Sequence, residues 1–83
     1  MTNADLLAQF RQRLAEALPH ATPYEQTTLG MRLIYASRGY ANGRSSALKD
    51  AQVFAGVYGL RVSACGRSLR VFREQHGEFP IPE

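Results

Sequence analysis

Thr22-Pro23-Tyr24-Glu25 is the tightest constraint in the chain, because it fixes where a helix begins. A threonine cap with glutamate three residues later can exchange two hydrogen bonds across the first turn. Proline at the first helical position lacks only an N–H that would have no partner there. What precedes the motif follows from it. Pro19 closes an earlier helix, capped by Asn3, in which Leu7, Phe10, Leu14 and Leu18 lie on one stripe at helical spacing. The helix that starts at the motif carries Leu29, Leu33 and Ala36 on one side with Met31, Ile34 and Tyr35 nearby; it is expected to be mostly buried and to stop at Gly39.

Tyr40-Ala41-Asn42-Gly43-Arg44 then reads as a loop with an Asn-Gly turn. Ser45 or Ser46 caps a third helix, whose apolar positions Leu48, Ala51, Phe54, Ala55 and Tyr58 repeat at three and four before Gly59 stops it. Leu60 to Ala64 alternates for a few positions, as one short strand would. A Ser63 cap and the spacing of Cys65, Leu69 and Phe72 favour instead a fourth helix over about 64 to 75, ended by Gly77. Residues 77–83 alternate proline with apolar groups and read as an extended tail. The expected architecture is therefore all-α, a small compact four-helix domain containing a helix-turn-helix at about 46–76. Eighty-three residues suit one domain, and 45% apolar with 20% charged residues is an ordinary globular balance. The longest strongly apolar stretch, Leu29 to Ala36, is broken by Gly30 and Arg32, far short of the roughly 20 residues a membrane span needs. Met1 to Asp5 has no basic-then-apolar leader and Cys65 has no second cysteine to pair with, so the expected compartment is cytoplasmic.

The net charge of +3 hides an uneven distribution. From Gly30 to Arg73, eight cations (Arg32, Arg38, Arg44, Lys49, Arg61, Arg67, Arg70 and Arg73) face Asp50 alone, while both ends of the chain are acidic. Nine of the ten cations are arginine, whose planar fork suits phosphate and base edges. A segment this asymmetric points to a polyanionic partner.

Within it, Asp50 to Phe72 has the spacings of two helices joined by a sharp turn: Ala55 small at the crossing, Gly59 at the turn, then Cys65, Leu69 and Phe72 as inward anchors. This stretch resembles helix-turn-helix repressors. With the preceding loop from Gly39 to Arg44, the layout is similar to the small plasmid repressors of the KorA type. The resemblance implies a cytoplasmic homodimer reading an inverted repeat in double-stranded DNA, without a cofactor. In this register Arg61, Ser63, Arg67 and Arg70 fall outward. Arg67 and Arg70 are candidates for guanine, Arg61 or Ser63 for phosphate at the helix start, and Arg44 and Arg73 for further phosphates. A solvated face is the commoner fate of a charge stripe, but such a face mixes signs, and this one has no acid before Glu74.

Other chemistry is sparse. Cys65 is expected to be buried among apolar anchors, and His20 and His76 have no cysteine or carboxylate at ligand spacing, so neither a redox thiol nor a metal site is expected. No phosphate loop, carboxylate pair or nucleophile beside a histidine suggests an enzyme. Of the tyrosines, Tyr24, Tyr35 and Tyr58 are expected between helices, and Tyr40 in the basic loop, where it could stack on a single-stranded base. The competing reading from another class is a phage- or plasmid-encoded interaction protein that sets its arginine face on an acidic protein partner.

Overall fold

The computed structural model describes residues 3–73 and 77–82, with the Asn3 side chain left aside. Three helices, α1 (Asn3–Ala17), α2 (Pro23–Ala41) and α3 (Ser46–Gly56), are followed by three strands, β1 (Arg61–Cys65), β2 (Ser68–Arg73) and β3 (Gly77–Pro80). The fold is α+β, which overturns the expected all-α four-helix domain.

The helical half follows its local signals. Both bonds of the capping box form, from the Glu25 N–H to Thr22 Oγ1 at 3.1 Å and from the Thr22 N–H to Glu25 Oε1 at 3.0 Å. Phe10, Leu14 and Leu18 are buried, as expected. α1 and α2 approach closely at Gly30, where a Cβ would stand 3.3 Å from Leu14 Cδ1. α2 runs two residues past the expected stop, because the left-handed residue is Gly43 (φ 94°) in the Asn-Gly turn rather than Gly39. α3 packs through Ala47, Ala51 and Ala55, all fully buried, and this small-residue face brings it close to its neighbours. It ends as the sequence requires: Gly59 takes φ 77° and the Leu60 N–H returns to the Ala55 carbonyl at 3.1 Å.

From residue 61 the expectation fails. Where a recognition helix was expected over about 64 to 75, β1 and β2 form an antiparallel hairpin, in register Arg61↔Phe72, Val62↔Val71, Ser63↔Arg70, Ala64↔Leu69 and Cys65↔Ser68. Positions 74 and 75 lie outside the described residues. Two facts decide the outcome. Gly66 adopts φ 63°, a backbone no helix interior allows, and it is the first of the two residues joining the strands, as in a II′ turn. Val62, Leu69 and Val71 are all buried, a period of two along β2 that a helix would turn to opposite sides. With no second helix after Gly59 among the described residues, the helix-turn-helix expected at about 46–76 does not form.

The tail supplies the third strand. β3 pairs with β2 from Arg70↔Pro80 to Arg73↔Gly77, giving the order β1-β2-β3. Pro80 is tolerated there because β3 is an edge strand. Phe79 and Ile81 are buried, the Phe79 ring lies 5.9 Å from that of Phe10, and the Ile81 N–H reaches the Leu69 carbonyl at 3.0 Å. The buried Ser37 hydroxyl donates to the Ile81 carbonyl, fastening the tail to α2. One face of the sheet thus closes a single core with the helices, and the other face is left uncovered by any described element.

Candidate nucleic-acid interface

Strand alternation sorts the hairpin side chains. With Val62, Leu69 and Val71 turned inward, Arg61, Ser63 and Cys65 of β1 and Ser68, Arg70 and Phe72 of β2 point to the outer face. Arg61 is exposed, Ser63 and Arg70 are half-buried cross-strand neighbours, and Phe72 supplies an apolar floor opposite Arg61. Neither strand contributes an acid. Glu78 of β3 does, and its Oε1 lies 3.2 Å from Arg70 Nη1.

Arg67 occupies the second turn position at the tip, exposed and beyond the reach of β3. The tip stands beside the α2–α3 loop, across an open cavity of about 570 Å³ lined by Tyr40, Asn42, Gly43, Ser45, Gly66 and Arg67. Ser45 precedes α3 without a side-chain capping bond. The hairpin tip and the Asn-Gly turn, separate in sequence, therefore form one rim.

Four of the six residues singled out from the sequence, Arg61, Ser63, Arg67 and Arg70, lie together on the outer face and tip of the hairpin, although on strands and a turn rather than a helix. The other two are elsewhere. Arg44 pairs with Asp50 at 3.3 Å and lines a separate depression with Arg32, Tyr35 and Val53. Arg73 donates through Nη1 to the Ala17 carbonyl. α1 has no basic residue in its own last turn, so Arg73 brings the cation that its C-terminus lacks. Among the described residues, Arg61 and Arg67 are the cations of the hairpin's outer face and tip with no carboxylate within 4.0 Å.

Further corrections concern Cys65 and the tyrosines. Cys65 is exposed at the end of β1, because the strand carries it to the outer face. Tyr24 and Tyr35 are exposed, whereas Tyr40 is half-buried and packs against the core while its edge meets the cavity. Asn42 and Ser45 were missed as rim residues; an Asn-Gly turn preceding a serine-capped helix was the available signal. His76 lies outside the described residues. Among the described residues no group of three or more His, Cys, Asp or Glu side chains gathers where it could hold a metal ion, and no helix is long and apolar enough to cross a membrane.

Among the described residues, the carboxyl with a clear shift is Glu25. The Thr22 backbone N–H, then the Thr22 hydroxyl and the Tyr58 hydroxyl hold it below the ordinary carboxylate range, against a partial offset from burial. It serves the α2 cap rather than the hairpin. Compared with family models, curated proteins and solved structures, the chain matches none.

Proposed function

We propose that the protein is a small DNA-binding regulator that lays its β1–β2 hairpin in the major groove of double-stranded DNA. The observation that carries this reading is the outer face of the hairpin, with Ser63 and Arg70 in cross-strand register, Arg61 on the same face and Arg67 at the projecting turn. The major groove, about 12 Å wide, admits a two-stranded ribbon as readily as a helix. In this arrangement Arg67 and Arg61 are the groups for guanine edges, and Ser63 bonds either a base or a phosphate. Arg70 exchanges Glu78 for a phosphate on binding. Asn42 and Ser45, on the rim facing Arg67, meet the flanking backbone. One hairpin offers few contacts, so two copies on an inverted repeat provide the affinity regulation requires, and a cytoplasmic site of action goes with this reading.

Binding-site selection from a random duplex pool tests the proposal, run beside Arg61→Ala/Arg67→Ala and at two salt concentrations. The expected result is an enriched repeat, lost in the variant, which keeps weaker, salt-sensitive binding through its remaining phosphate contacts. Absence of enrichment, with weak binding that vanishes at moderate salt in both proteins, would overturn it.

A further inference from the structure

α2 is buried on one side only. Tyr24, Thr28, Met31, Tyr35 and Arg38 follow at intervals of four, three, four and three, so they share a face, with Arg32 at its margin. Tyr24 is 78% exposed, Tyr35 63% and Met31 42%. Fourteen residue steps at about 1.5 Å each make this stripe about 21 Å long. Leu6 of α1, Val53 of α3 and Val57 just after it are exposed as well. On the α1 side, the stripe overlooks an apolar cavity of about 240 Å³ between Leu6, Leu7, Met31, Ile34 and Tyr35, with Arg38 at its edge. Single exposed apolar groups are ordinary, but Leu6, Met31 and Tyr35, gathered from α1 and α2 around a cavity, mark a surface that meets another molecule.

We infer that this face of α2 docks an acidic amphipathic helix of a partner protein. The charges choose the occupant. Arg32 and Arg38 have no carboxylate within 4.0 Å among the described residues. The acids nearby are engaged: Glu25 with Thr22 and Tyr58, Asp50 with Arg44, and Asp5 with a partner of its own. The surface is thus an aromatic and aliphatic ridge bordered by uncompensated guanidinium groups. A helix with apolar residues at i, i+3 or i+4 and i+7 and carboxylates beside them complements it in shape and sign, and tyrosine and arginine are the residue types that dominate such contacts. A second copy meeting it symmetrically would bring two Arg32 and two Arg38 side chains together with no carboxylate from either stripe. A single-stranded nucleic acid would use Tyr24, Tyr35 and the arginines, but not Leu6, Met31, Val53 or the apolar cavity.

The test uses the full chain and a fluorescein-labelled helical peptide of about five turns, with leucines at i, i+3, i+7 and i+10 and glutamates on both flanks. A lysine-flanked peptide with the same leucines and a labelled oligothymidine are the counter-probes. By anisotropy at physiological salt, the glutamate peptide binds at least about tenfold more tightly than the lysine peptide, and Tyr35→Ala weakens it about tenfold. Arg32→Glu/Arg38→Glu reverses the preference, a result an unfolded variant could not give, and Arg67→Ala leaves it unchanged. Equal binding of the two peptides, no binding of the glutamate peptide, no reversal, oligothymidine competing for the stripe, or a homodimer in sedimentation that Tyr35→Ala dissolves would each overturn the inference.

Discussion

The α2 stripe and the outer face of the β1–β2 hairpin are both cationic and both uncovered, yet they are built for different contacts. On α2, Arg32 and Arg38 border Tyr24, Met31 and Tyr35, so charge frames an apolar centre. On the hairpin, Arg61, Arg67 and Arg70 are interleaved with Ser63 and Ser68, so polar groups occupy the centre and Phe72 the floor. Sequence totals merge these into one basic segment from residue 30 to 73. Folded, they separate into a surface suited to a protein helix and one suited to a phosphate-lined groove.

The two regions also share a core, which gives the largest expected effect. Leu69→Ala on β2 and Leu14→Ala on α1, both fully buried, should each cost about 2–5 kcal/mol. In urea each variant should lose helix and near-aromatic signals in one coincident transition. A hairpin merely appended to the helices would instead leave the helical transition of Leu69→Ala where it was.

Two glycines sharpen the contrast at about 1 kcal/mol, with opposite signs. Gly66 needs its positive φ, so Gly66→Ala should destabilise by about 1–2 kcal/mol. Gly56 ends α3 without a positive φ and with open space around its Cα, so Gly56→Ala should stabilise by about 0.5–1 kcal/mol. Thermal melts read both. Were residues 64–75 helical, Gly66→Ala would stabilise as well.

At the α2 cap, Thr22→Ala should cost about 1 kcal/mol at neutral pH. Glu25→Gln gives the smallest effect and one that depends on pH. The folded pKa of Glu25 is lowered, so its contribution is complete above the ordinary carboxylate range and fades as pH falls through the lowered value. The stability difference between wild type and Glu25→Gln should therefore close in acid, as urea titrations at stepped pH will show.

Which features were legible in the sequence follows from how far each depends on distant residues. The capping box, the α1 stripe and the Gly59 stop are completed within a few residues, and each was read correctly. The hairpin carried a local signal too: Gly66-Arg67 between alternating Arg61-Val62-Ser63 and Leu69-Arg70-Val71. Cys65, Leu69 and Phe72 happen also to fit helical spacing, and what separates the alternatives is burial of Val71 in the core shared with the helices and the pairing of β2 with a strand made from the tail. That pairing lies outside any local window. Arg61, Ser63 and Arg70 stay on the outer side because both periods turn them outward, and Arg67 because it stands at the turn. Arg44 and Arg73 lie apart from them, Arg44 in the depression beside Asp50 and Arg73 against the Ala17 carbonyl, 56 residues away in sequence. The exposed α2 stripe was misjudged because helix periodicity locates an apolar face but does not say whether an element covers it.

The most direct test of the division between the two surfaces is amide chemical-shift mapping as duplex DNA, bearing the selected repeat or a mixed sequence, is added to the full chain. The account predicts shifts confined to residues 61–70 and the 40–45 loop, lost in Arg61→Ala/Arg67→Ala, with residues 24–38 unmoved. Shifts centred on Tyr24, Met31 and Tyr35, or a hairpin that stays silent, would contradict it.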